Sequence, residues 1–165
     1  MTFEIEIDTT PLVKLAERIG NIDELVNREM QNTMLASLSA IEQTVLNVID
    51  EKNIFYNGHL RASIHQEIYG APPDFVGSVN TGIIYGYQME EGRPPGIMPP
   101  AAALDLWAKR KNIPIPGYVL ARSIERKGIR GRHYMRDSFV RVKDRVEALW
   151  AGLVDRVIVK FEGGQ

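Results

Sequence analysis

Residues 21–52 read NIDELVNREMQNTMLASLSAIEQTVLNVIDEK, with no glycine or proline anywhere in the run. Asn21-Ile22-Asp23-Glu24 has the form of a capping box, Glu24 standing at the third helical position. Leu25, Ile41, Val45, Leu46, Val48 and Ile49 then recur at helical spacing. The stretch predicts a helix of roughly 30 residues, about 45 Å long at its usual rise per residue. Such a helix outspans a compact domain of 165 residues. Two readings follow: part of it packs against something else, or it is a core helix with a long exposed face.

Upstream, Phe3, Ile5 and Ile7 alternate with Glu4, Glu6 and Asp8, which predicts a short strand over Thr2–Asp8 with one wet face. Thr10 and Pro11 read as N-cap and first position of a short helix, Pro11–Ile19, ended by Gly20. Downstream, Asn57-Gly58 is a turn signal. His59–Tyr69 reads as one helical turn leading into a strand. Phe75–Thr81 alternates as its partner, with Ala71-Pro72-Pro73-Asp74 as a hairpin connection. Short helices are expected at Ile84–Glu91, Ala101–Lys111 (carrying Leu104 and Trp107) and Tyr118–Lys127, the last closed by Gly128. A basic loop, Ile129–Arg132, precedes a final helix from Tyr134 towards Val159. Its apolar stripe runs through Met135, Phe139, Val142, Val146, Leu149, Trp150, Leu153 and Val157. The order is that of an α+β domain.

Length and apolar content suit one domain over residues 1–165. Net charge is -1, so no overall basic excess advertises a nucleic-acid partner. Acids nevertheless dominate the first fifty residues, and bases dominate Lys109–Arg145. A two-ended distribution suits head-to-tail packing of copies, and equally a partner at either end. The chain has no cysteine, which removes disulfides and thiolate chemistry and fits a reducing cytoplasm. The start, MTFEIEID, has acids where a signal peptide needs bases. No apolar run is long enough for a membrane span, so a soluble protein without a membrane partner is expected.

Chemistry finds few candidates. Glu90 and Glu91 are adjacent, so on a helix they diverge by about 100° and cannot work one bond together without a bend. His59, His65 and His133 lack metal-ligand spacing. No phosphate-cradling, dinucleotide, nucleophile-elbow or zinc-protease motif occurs, so no cofactor or metal is expected. The run Lys127-Gly128-Ile129-Arg130-Gly131-Arg132 could meet phosphate or DNA through Lys127, Arg130 and Arg132, its glycines letting backbone amides approach. The plainer reading is a solvated loop. Aromatics are not interleaved with these bases, which argues against stacking on single strands.

The segment Tyr85–Pro100, YGYQMEEGRPPGIMPP, carries two Pro-Pro steps. They suit a polyproline groove, but an internal position between two helices suits an extended arm reaching a neighbouring subunit better, since proline limits the ordering cost.

Gly58, Leu60, Arg61, Ser63 and Ile64 form a G-x-L-R-x-S-I turn. Tyr85, then Glu90 or Glu91, then Gly92 form a Y-A-x-x-x-E-x-G segment, with Gly86 where alanine is commoner. Trp107 and Tyr134-Met135-Arg136-Asp137-Ser138-Phe139 complete the order. Together they resemble the head–tail joining proteins of tailed bacteriophages, of the neck and tail-completion family, over most of the chain from the long helix to residue 140. The departure is a longer insertion, about 93–133, carrying two extra helices.

The resemblance implies long N- and C-terminal helices packed on a small antiparallel sheet. It also implies a structural job without catalysis: a ring, six-fold favoured, in the neck or tail of a virion assembled in the host cytoplasm. Its neighbours would be head-completion and tail-tube or tail-terminator proteins, with genomic DNA passing through. Subunit-interface candidates are Tyr85, Tyr87, Glu90, Glu91, Arg93, Pro94, Pro95, Ile97, Met98 and Pro99. Gly58, Leu60, Arg61 and Gly92 are candidates for turn and pairing roles. In particular, Arg61 is expected to bond Glu90 or Glu91. The rival readings are a nucleic-acid binder using 109–145 and a small hydrolase using Glu90 or Glu91.

Overall fold

The computed structural model describes residues 3–5, 8–13, 22–54 and 58–162. Its organising element is α1, Asp23–Glu51, a helix of about 43 Å by its rise per residue. Asn21 lies outside the described residues; Ile22 occupies the N-cap and no side chain caps the helix there. Buried positions run the whole length of α1, from Val26 through Met30, Met34, Leu38, Ile41 and Val45 to Ile49. The stripe fits a core helix with a long exposed face, on which Leu35 is left in water. Beside this stripe runs a buried polar row, Glu29, Thr33 and Ser37, spaced one turn apart. Thr33 and Ser37 each donate to the carbonyl one turn back.

What covers α1 comes from the rest of the chain. Gly58, left-handed at φ 74°, starts the single turn α2 (His59–Ala62). It leads into β2 (Ile64–Ala71), and Pro72-Pro73 turns the chain into β3 (Asp74–Thr81). β1, described over Phe3–Ile5, adds antiparallel to the other edge of β3, giving the order β1-β3-β2. Of the expected Pro11–Ile19 helix, residues 10–13 are helical and the rest lies outside the described residues. Its start differs by one position: Leu12 and Val13 donate to the Thr9 carbonyl.

The final helix is two helices. α6 (Tyr134–Ala151) ends at Gly152 and α7 (Leu153–Glu162) continues beyond it. A glycine costs about 1 kcal/mol in a helix interior, and here it is where the single helix expected from Tyr134 to Val159 breaks. α6 packs along the C-terminal part of α1, and α7 along the N-terminal part. Leu153 and Val157 of α7 bury against Val26 and Met30. Phe75 and Trp150, ring centroids 6.4 Å apart, touch both clusters and make the core continuous. Three polar bonds fix the register of α1 against the C-terminal helices. Lys160 pairs with Glu29 at 2.6 Å, Arg156 donates to Thr33 Oγ1 at 2.9 Å, and Trp150 Nε1 donates to Ser37 Oγ at 3.1 Å. The result is an α+β fold with long helices on a small sheet.

Candidate assembly surface

The opposite end of the molecule is built on α3, Ile84–Glu91, and on one side chain, Glu90. α6 begins Tyr134-Met135-Arg136 behind Arg132 and His133, so none of the usual capping residues Ser, Thr, Asp or Asn precedes it. His133 sits left-handed at the N-cap and supplies no side-chain bond. Glu90 supplies the cap from 45 residues away. Its Oε2 accepts from the Met135 N–H at 2.7 Å and its Oε1 from the Arg136 N–H at 3.0 Å. The residue is 0% exposed. An anion is well placed there, because the first N–H groups of a helix carry partial positive charge and lack intrahelical partners. The backbone continues the join: Arg132 N–H donates to the Met89 carbonyl and His133 N–H to that of Glu90. Tyr134, itself fully buried, points its hydroxyl at the Gly86 carbonyl. Burial, with Glu90 and Tyr85 nearby, raises its pKa.

This geometry corrects three expectations. Glu90 is not a subunit-interface residue, nor half of a catalytic pair, since both oxygens are committed inside its own chain. Arg61 does not reach Glu90 or Glu91; its Nε pairs with Asp50 at 3.3 Å, both side chains about half exposed. The 129–132 segment is not simply a loop. Ile129–Arg130 (β5) pairs antiparallel with Gly92–Arg93 (β4). Gly92, at φ +86°, ends α3 where a Cβ would lie 2.5 Å from the Ile129 carbonyl oxygen, so the close ribbon requires glycine there.

The proline segment is accordingly tied to its own chain rather than reaching free. Its root is β4, the Arg93 guanidinium donates to the Ile97 carbonyl at 2.6 Å, and Gly96 N–H donates to the Glu125 carbonyl at 2.9 Å. What remains for a neighbour is side chains. Ile84 is 91% exposed and Ile97 83%. Tyr87, Met98, Pro94, Pro95 and Glu91 are also exposed, whereas Arg93 and Pro99 are half-buried. Tyr85, one position from Ile84, packs on the body. One of the two tyrosines is thus an anchor and the other faces water. Leu60, from the Gly58 turn, is buried in the same core.

Beyond the segment, α4 (Ala101–Arg110) and α5 (Gly117–Lys127) form a helical hairpin that packs chiefly on itself. Its seam is made of small residues. Ala108 and Ala121 are buried, and at Gly117 a Cβ would come within 2.2 Å of the Ala101 carbonyl oxygen. The Asp105 carboxylate accepts the Gly117 N–H, closing the hairpin. Large apolar side chains point outward instead: Leu106, Ile115, Tyr118 and Val119 are all exposed. Lys127, Arg130 and Arg132, the phosphate candidates, are exposed along the edge where α5 passes into β5 and α6.

Among the described residues, no group of His, Asp and Glu is placed to hold a metal ion, and no helix is long and apolar enough to cross a membrane. No family model, curated protein or solved structure matches the chain.

Proposed function

We propose that this protein is a structural component of a tailed phage or prophage particle, joining head and tail by assembling into a ring, six-fold favoured, in the neck or at the tail end. The observation that carries the reading is the number of large apolar side chains left exposed on α3 (Ile84, Tyr87), the proline segment (Ile97, Met98) and the α4–α5 hairpin (Leu106, Ile115, Tyr118, Val119). Large exposed apolar surface marks contact sites. It is held in fixed geometry by the Glu90 cap and the β4–β5 ribbon, as a docking surface requires. The order of motifs that resembles head–tail joining proteins supports the same reading. In this role the partners are further copies of the chain, a head-completion protein and a tail-tube or terminator protein, with genomic DNA passing through the ring. The work is done by contact alone.

The test is complementation of a phage or prophage whose copy of this gene carries a nonsense mutation, with the particles imaged by electron microscopy. Filled heads and finished tails that stay apart, and join into infectious particles when purified protein is added, are expected. Joined, infectious particles formed without the protein would refute the joining role. Tails of abnormal length would move the protein from the joint to tube termination.

A further inference from the structure

Charge is partitioned on this molecule far more sharply than the net value of -1 suggests. Residues 109–145 hold 12 of the 20 Lys and Arg but only 3 of the 21 Asp and Glu. On α5, Arg122 and Arg126 share one face with Tyr118. Tyr118, Arg122 and Arg126 stand at successive turns of α5 and are all exposed, side by side on one helix face. Arg122 bonds the Tyr118 hydroxyl at 3.0 Å. Among the described residues, neither Arg122 nor Arg126 has a carboxylate at ion-pair distance.

The outer face of the sheet is the counterpart. Ser78 lies opposite Glu4 on one side and Glu67 on the other, so two carboxylates flank it in one row across the sheet. Directly opposed residues of an antiparallel pair share a face. Tyr69 and Val76, also opposed and both exposed, form the next row, and Asp74 follows by alternation. Tyr69 Oη and Asn80 Nδ2 donate to Glu67, whose pKa is lowered chiefly by the Tyr69 bond, and His65 lies 3.4 Å away. The hairpin therefore offers an apolar and basic surface, and the sheet an apolar and acidic one, each carrying one half-exposed tyrosine.

We infer that these two faces meet between copies of this chain, the α5 stripe of one subunit docking on the outer sheet face of the next. Two different patches in contact make a heterologous interface, and such interfaces close into rings when the rotation per subunit allows. The inference rests on the ring reading above and names the two faces that reading leaves open. Complementary potentials fix register and partner, while like charges brought together repel.

The experiment is native mass spectrometry and light scattering on the full chain over a salt series, with charge reversals on each face. Wild-type assemblies should weaken as salt rises. Arg122→Glu with Arg126→Glu should weaken assembly at least about tenfold, and so should Glu4→Lys with Asp74→Lys, a pair that leaves the Glu67 bonds in place. All four reversals in one chain should restore most of the lost affinity, with circular dichroism and unfolding midpoints of every variant near wild type. Rings formed equally well by both doubly reversed variants would overturn the pairing of faces while leaving the ring reading intact. Unchanged rings together with lost binding to a duplex DNA oligonucleotide would also overturn it, assigning the stripe to nucleic acid. Wild-type chains that never assemble, alone or on completed heads, would sink the ring reading itself.

Discussion

The body around α1 and the α4–α5 hairpin each lay helices side by side, but they do it with opposite side chains. In the body, Met30, Met34, Leu38, Met135 and Leu153 fill the contact and are removed from water. In the hairpin the contact is Gly117, Ala108 and Ala121, and the large residues Leu106, Tyr118 and Val119 face out. A core of Met and Leu derives its stability from area removed from water, about 25 cal/mol per Å². A seam of glycine and alanine brings backbones close, and Leu104, Trp107, Leu120 and Ile124 of the hairpin are only half-buried. The body thus holds the fully buried large side chains, and the hairpin leaves its own partly or wholly in water.

Breaking the body should cost most. Leu38→Ala leaves a cavity where α1 meets the sheet, and is expected to lower unfolding free energy by about 3 kcal/mol, within the usual range for buried leucine. Chemical denaturation reads this directly; a loss near zero would mean that the α1 core is not the stability centre.

Removing the Glu90 carboxylate tests the join between α3 and the start of α6. Glu90→Ala frees two N–H donors in a buried site and should cost about 2–4 kcal/mol, the usual scale for charge-assisted bonds lost without replacement. Glu90→Gln keeps the shape and one acceptor and should recover part of that. Equal stability of Glu90→Ala and wild type would show the cap to be ornamental.

Acid should loosen the body at the Glu29–Lys160 pair. The bond from Lys160 holds the Glu29 carboxyl below its ordinary value of 4.5, against the opposing effect of burial. A depressed folded-state pKa means the stabilisation is fully present above 4.5 and is lost as pH falls through the folded value. Stability should therefore drop more steeply below pH 4.5 in wild type than in Lys160→Ala, and identical acid limbs would contradict the assignment. Smaller still is Arg61→Ala: its partner Asp50 is half exposed, so a loss of under about 1 kcal/mol is expected. A loss of several kcal/mol would indicate a buried role that the Asp50 pair does not provide.

Much of this arrangement was legible because it is local. The absence of glycine and proline between 21 and 52 announced α1, and Pro72-Pro73 between two alternating runs announced the hairpin turn. Ile84–Glu91 was bounded by its own residues and is found at the expected ends. What escaped was long-range. Nothing near Glu90 says that its partners are the amides of Met135 and Arg136, although one signal was present: a strong helix starting after Arg132-His133 lacks a cap and must borrow one. The buried row Glu29, Thr33, Ser37 escaped because its partners Lys160, Arg156 and Trp150 sit more than a hundred residues away. The split at Gly152 was hidden because the apolar stripe continues through Leu153 and Val157 on the same side. The proline segment read as a free arm because sequence shows its stiffness but not the β5 strand that pins its root.

In the proposed function, the body carries stability, and exposed side chains of α3, the proline segment and the hairpin carry assembly. Ile97→Lys puts a charge on the apolar face at a residue that is 83% exposed. The measurement is its unfolding free energy and its assembled mass, taken side by side with wild type. Stability within about 0.5 kcal/mol of wild type, as for ordinary surface changes, and loss of the assembled species are expected. Full assembly, or a stability loss of about 2 kcal/mol as for a core residue, would contradict it.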